Sequence, residues 1–122
     1  MSELNVVDSS CWLEYFVGSE RAEIFAPVIE DAEHLLVPVI AIYEVFKKVL
    51  RDRGEDDALQ AASAMQTGRV VDVDMSLALD AARHRLPLAD SIIYATALRF
   101  DATLWTQDED FKDLPNVRYF AR

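Results

Sequence analysis

The 122-residue sequence contains one cysteine and two histidines. Cys11 has no second cysteine with which to close an internal disulfide, and His34 and His84 stand apart, so no Cys/His spacing of the structural-zinc kind exists. A reducing compartment is the expectation. No apolar run approaches the roughly 20 residues that would span a bilayer. The first residues show no basic segment leading into a signal-peptide core, so no membrane role is expected and the cytoplasm is the predicted location. Cations are scarce, with 12 Lys and Arg against 22 Asp and Glu and a formal net charge of -10. That balance argues against nonspecific nucleic-acid binding, because phosphate contacts draw their strength from positive charge and counterion release. It leaves room for a nuclease whose metals and local basic residues receive the phosphate, and it suits a basic protein partner.

No repeat, low-complexity segment or linker divides the chain, so residues 1–122 are expected to form a single domain. With 52% hydrophobic residues, a chain of this length is able to bury roughly two-thirds of its unfolded surface without a staple. A first strand is predicted up to Asp8, then a helix over 11–16 closed by Gly18. Ser19 offers a cap for a second helix reaching about Glu33, with Phe25, Val28 and Ile29 on its apolar face. Leu35 to Val37 reads as strand two, and Pro38 as the first turn of a third helix that stops at Gly54. A fourth helix is expected over 57–66, strand three over 70–73 and helix five over 76–84. Helix six starts at Pro87 and runs to Arg99 or Phe100, strand four spans 103–106, a turn or short helix follows near 110–114, and an edge strand spans 117–119. Alternating strands and helices predict an α/β fold, a three-layer α/β/α sandwich around a parallel sheet. Ligands of such sheets bind beyond the carboxyl ends of the strands.

Four acids border or interrupt apolar segments: Asp8, Glu44, Asp90 and Asp108. Ionised carboxylates are costly to desolvate, and no matching set of buried-looking Lys or Arg accompanies them. A hard divalent cation, Mg²⁺ or Mn²⁺, is the economical compensation, since such ions prefer oxygen ligands and hold several carboxylates together. Each acid also has a plainer reading. Asp8 would serve as a helix cap, although Ser9 and Ser10 would do so equally well. Glu44 would form an exposed pair with Lys48, worth a few tenths of a kcal/mol. Asp90 would complement the dipole of helix six, and either Asp108 or Asp110 would cap a short helix. Asp108 is favoured over Asp110 as the site residue because it lies nearer the end of strand four, where the Thr106 hydroxyl is available to support Asp8 or a water. Ser9 is a second supporting hydroxyl. Lys47 and Arg51 lie on adjoining positions of helix three, as candidate RNA-phosphate contacts or as a solvated basic face.

The chain resembles the PIN-domain ribonucleases of the VapC toxin type over essentially its full length. The resemblance rests on Val6-Val7-Asp8-Ser9-Ser10, on Glu44 early in helix three, on the segment from Leu88 to Ala97 with Asp90 inside it, and on Leu104 to Phe111. It implies a Mg²⁺- or Mn²⁺-dependent endoribonuclease, a homodimer, and inhibition by a small DNA-binding antitoxin. It also implies that Asp8, Glu44, Asp90 and Asp108 form the catalytic, metal-holding site. RNA is then the expected substrate, hydrolysed in line with one or two metal ions activating water and stabilising the leaving oxygen. An antitoxin would present a basic segment to the acidic crevice and an apolar segment to a helix face that includes Trp12, Tyr15 and Phe16, residues that equally suit the core. A phosphoacceptor signalling domain would use a similar sheet and acidic pocket, but it pairs adjacent acids after strand one and places a lysine beyond the last strands. Here serines follow Asp8, and the Thr106 region has no such lysine. A catalytically silent PIN-like binding protein is a further alternative, disfavoured by the presence of all four acids.

Overall fold

A computed structural model describes residues 3–122. Five short strands form one wholly parallel sheet in the order β3-β2-β1-β4-β5, with β1 at Asn5–Val7, β2 at Leu35–Pro38, β3 at Arg69–Val71, β4 at Thr103–Thr106 and β5 at Val117–Tyr119. Six α-helices connect them: α1 Ser9–Val17, α2 Ala22–Ile29, α3 Val39–Arg53, α4 Glu55–Met65, α5 Met75–Ala82 and α6 Leu88–Arg99. From β1 the chain steps outward through β2 to β3, then returns across the sheet to β4. Right-handed crossovers therefore put α1 to α4 on one face and α5 and α6 on the other, the expected three-layer arrangement. Valine- and leucine-rich strands suit it, because both faces of the sheet are covered: Val6, Val7, Leu36, Val37 and Leu104 are all essentially inaccessible to water.

The termini of the elements depart from the sequence expectation where side chains compete for the backbone. Ser19 does not cap a long second helix: its hydroxyl donates to Glu14 Oε1 at 2.9 Å and accepts from the Arg21 amide at 3.2 Å. The helix begins at Ala22 and ends at Ile29, and a separate 3-10 turn at Ala32–His34 leads into β2. Strand three starts and stops earlier than expected because its partner ends at Pro38. Leu36 faces Arg69 and Pro38 faces Val71, so Val73 has nothing to pair with. Helix five begins at Met75 rather than Ser76, since Asp74 caps it by accepting the Leu77 amide at 2.8 Å, and it ends at Ala82, short of His84. The short helix after β4 is a 3-10 turn at Glu109–Phe111.

Helix α6 is the central element of its layer. Every residue from Ser91 to Ala97 is buried, and Thr96 turns its hydroxyl back onto the Ile92 carbonyl at 2.8 Å, which satisfies it without water. Asp90 immediately precedes this buried stretch, so the packing of α6 fixes the place of its carboxylate.

Gly68 marks a point of close approach between β2 and β3. A Cβ there would come within 2.8 Å of the Leu35 carbonyl oxygen, an atom of a paired strand with little room to give. Gly68→Ala is therefore expected to destabilise the protein by roughly 1–3 kcal/mol through overpacking, read as a lower urea midpoint with an unchanged slope. Gly18, the left-handed cap of α1 at φ 73, has open space around it, and Gly18→Asn is expected to cost less than about 1 kcal/mol. Equal midpoints for Gly68→Ala and the parent would contradict the close approach.

Candidate active site

Strands β1 and β4 are neighbours whose chains leave toward opposite faces, which makes the gap beyond their carboxyl ends the topological switch point. Asp8 follows β1 there and is 4% exposed. Its amide extends the ladder by donating to the Trp105 carbonyl at 3.0 Å. The carboxylate caps α1, with Oδ1 accepting from the Ser9 amide at 2.8 Å. Its other oxygen accepts from the Thr106 hydroxyl at 2.8 Å. One side chain thus both caps α1 and lines the cavity beyond the strand ends.

Thr106 also accepts the Asp108 amide at 3.0 Å, so one hydroxyl ties the acid after β1 to the acid after β4. Asp108 caps the turn that follows, accepting the Asp110 amide at 2.9 Å. Glu44 joins from α3, where its carboxylate accepts the Ser9 hydroxyl at 2.6 Å. The i,i+4 pair expected with Lys48 is not formed, because Lys48 bonds Asp52 at 2.9 Å instead. Asp90 enters from the first turn of α6. A carboxylate oxygen from each of Asp90, Asp108 and Asp110 lies within 4.8 Å of the other two, so both candidates for the fourth acid belong to the cluster.

These side chains line a cavity of about 640 Å³. Its lining carries six acids, Asp8, Glu44, Asp90, Asp108, Glu109 and Asp110, against one cation, Arg122. Burial first, with the neighbouring acids adding to it, opposes the ionisation of two of them. Burial pushes Asp8 up to about 6; its bonds from Thr106 and Ser9 pull the other way, and Glu44 and Asp108 add repulsion. Asp90 is pushed up to about 7, first by burial and then by the charges of Asp8, Asp108, Glu44 and Asp110. A donor set made wholly of carboxylates that resist ionising together fits a hard divalent cation, which would neutralise them and accept their oxygens.

The proposed basic contacts on α3 stand elsewhere. Lys47 lies against Tyr43, 3.4 Å from its hydroxyl, and Arg51 bonds Asp52 at 3.3 Å; both are exposed and neither lines the cavity. Sequence reading also passed over a polar network behind the site. The Gln107 amide, 4% exposed, accepts from Arg21 Nε at 2.7 Å and donates to Glu14 Oε2 at 2.9 Å. Arg21 reaches on to the Phe120 carbonyl at 3.1 Å. Gln107 chiefly, with Ser19 and nearby arginines, holds Glu14 below the usual carboxylate range. An amide directly after Thr106 was the available sign of it; nothing around Arg21 announced a partner so distant in sequence. Of the two roles open to Trp12, receiving face or core, the structure gives the core, at 1% exposure with Phe16 stacked on it at 5.7 Å.

A family model described as the PIN domain matches residues 6–117. The chain belongs to the PIN domain family. Solved structures of similar fold include a toxin–antitoxin complex from Klebsiella pneumoniae, at 20% identity and TM-score 0.79, covering 97% of this chain and 99% of that one. A second is the Mycobacterium tuberculosis VapC20 toxin, described as cleaving the sarcin–ricin loop, at 20% identity and TM-score 0.75 over 91% and 95% of the two chains. A third is a DNA-bound VapBC from Salmonella typhimurium, at 16% identity and TM-score 0.73 over 99% and 98%. No curated protein matches the sequence.

The raised Asp90 carboxyl sets a pH dependence. Ionisation begins near 3.8 in the unfolded chain and near 7 in the fold, so the stability tied to its protonated form is complete below about 3.8 and is lost as pH rises through about 7. In chelator, Asp90→Asn should melt close to wild type near pH 4 and a few degrees above it near pH 8. Millimolar Mn²⁺ should raise wild type more than the variant, since the unfolded chain lacks the assembled acids. A variant that melts below wild type at both pH values, with no Mn²⁺ response in either protein, would make Asp90 a purely structural helix-start residue.

Proposed function

We propose that this PIN-domain chain is a Mg²⁺- or Mn²⁺-dependent endoribonuclease, the toxin of a toxin–antitoxin pair of the VapC type, acting in the cytoplasm. The observation that carries this reading is the cavity at the switch point, where six carboxylates face one arginine. Asp8, Glu44, Asp90 and Asp108 are the residues proposed to hold the cation, with Asp110 beside them. When bound, a divalent cation supplies Lewis acidity to the attacking water and to the leaving 3′ oxygen. The chain's own contribution is to hold the acids in place. Thr106 orients Asp8 and favours its ionised form, Ser9 fixes Glu44, and the burial of α6 keeps Asp90 against its neighbours. No histidine is asked to act as a base. The phosphoacceptor alternative needs a lysine beside the acids, and the cation in this lining is Arg122.

Cleavage of single-stranded RNA by pure protein should require Mg²⁺ or Mn²⁺ and vanish in excess EDTA. Asp8→Asn and Asp90→Asn should each lower kcat by about a hundredfold or more while circular dichroism stays native. Asp110→Asn should cost less than Asp108→Asn. Robust cleavage in EDTA would end the metal reading, and the reverse order of the last two variants would make Asp110 the fourth ligand.

The proposed antitoxin would bring a basic or Arg-bearing segment to the acidic cavity, with opposite charge speeding encounter. Its apolar segment has a place in a second cavity, about 430 Å³, where Leu13, Phe16 and Val17 of α1, Val49 of α3, and Ala61 and Ala64 of α4 are joined by Arg53, Asp57 and Gln60. A homodimer is also proposed, with Met75 and Leu79 of α5 and Leu88 of α6 as large apolar side chains left exposed. Capture from the native cell should recover a small DNA-binding protein. Val17→Asp, at a position 61% exposed, should weaken that partner by roughly tenfold without unfolding the toxin. Recovery of RNA alone would count against a protein partner.

A further inference from the structure

Beside the six acids, the cavity is lined by one aromatic side chain, Tyr119 of β5. Strand register accounts for its place. Thr106 and Tyr119 are paired across β4 and β5, so Tyr119 stands next to the residue whose hydroxyl holds Asp8. The ring is half-buried and its backbone is fixed on the following peptide. There the Phe120 amide donates to the Thr106 carbonyl at 2.9 Å and the Phe120 carbonyl accepts from Arg21 at 3.1 Å. Lys112 rests over the ring, 5.9 Å from its centroid, and Arg122 lines the same cavity. The part of the lining formed by β5 and the residues after it therefore brings an aromatic ring and a cation, Tyr119 and Arg122, to a cavity otherwise rich in acids.

We infer that Tyr119 is a stacking platform for a nucleobase of single-stranded RNA flanking the scissile phosphate, with Arg122 taking an adjacent backbone phosphate. A base stacks on an aromatic ring without regard to its hydrogen-bonding edge, and a ring already held by a strand gives up little freedom on binding. Arg122, three residues beyond Tyr119, lines the same cavity, and a single strand offers alternating bases and phosphates to such a pair. This role rests on the ribonuclease reading above, and it identifies what the site would do with the nucleotide next to the cut.

The test uses the full chain in Mn²⁺ and single-stranded oligoribonucleotides of about ten nucleotides, each carrying 2-aminopurine at a different position. Fluorescence is followed from mixing through cleavage. Wild type and Tyr119→Phe should quench 2-aminopurine before the cleavage phase at one position near the cut. Tyr119→Ala and Tyr119→Leu should lose that quench and raise KM by roughly tenfold to a hundredfold, with kcat within about threefold of wild type. Arg122→Ala should lower the slope of log KM against log salt by about 0.7, one phosphate contact to a single strand. Cleavage with the same KM in wild type and Tyr119→Ala would overturn the platform and leave the ribonuclease reading standing. Tyr119-dependent quenching without cleavage would support the platform and overturn the ribonuclease. Neither signal in wild type would overturn both. If Tyr119→Ala instead weakens only the captured protein partner, the ring serves that interface and the platform is overturned.

Discussion

Asp8 is buried at the point where neighbouring strands send their chains to opposite faces of the sheet, and the local structure is arranged around the cost of keeping a carboxylate there. Two donors meet its two oxygens: the first amide of α1 and the hydroxyl at the end of β4. A buried charge without such donors would simply take up a proton. Even with them, burial and the nearby acids leave Asp8 at about 6, a group close to the edge of ionisation. The sheet register therefore bears directly on chemistry. If β4 slipped by one residue against β1, Trp105 or Gln107 would take the place of Thr106, and Asp8 would lose the hydroxyl.

From that constraint the legibility of the sequence divides cleanly. Strand four and the edge strand were readable to the residue, because short β-rich runs bounded by turn residues leave few alternatives. The ends of α2, β3 and α5 were not. Each is decided by a partner outside the local window: the Ser19 hydroxyl is drawn to Glu14, β3 is limited by the length of β2, and Asp74 takes the Leu77 amide. Among the residues that line the cavity, Asp8, Glu44, Asp90 and Asp108 stood out because acids in apolar surroundings need a reason. Gln107 and Tyr119 did not, since an amide after a strand and a tyrosine on an edge strand are ordinary until the register says what they stand beside.

The two edges of the sheet share a device, and at β5 it lies beside the acidic cavity. Both edge strands are three residues long, and each presents an arginine laid on an aromatic ring: Arg69 over Phe100 at 5.1 Å, and Arg118 over Trp105 at 4.4 Å. Short, charged edges offer a poor template for a further strand. At the β5 edge, Phe120 stacks on Trp105 at 5.4 Å and meets Phe25 edge-on at 5.5 Å, so the peptide after Tyr119 is held by rings as well as by hydrogen bonds. On the proposed stacking role of Tyr119, that rigidity would keep its ring in place beside the acids.

Charge distribution explains why affinity for a polyanion has to be local in this protein. With a net charge of -10, the far field repels RNA, and only within about a Debye length, some 8–10 Å at ordinary ionic strength, do individual cations count. Lys47 and Arg51 sit on α3 and do not line the cavity, whereas Arg122 is part of its lining. Because the acids outnumber it six to one in the lining, the cavity by itself attracts cations. A divalent ion and an arginine-bearing segment would therefore compete for the same carboxylates, and a polyanion would gain entry only with the first of them in place. On the proposed function, catalysis and inhibition then draw on one electrostatic fact, the crowding of carboxylates around Asp8 and Asp90.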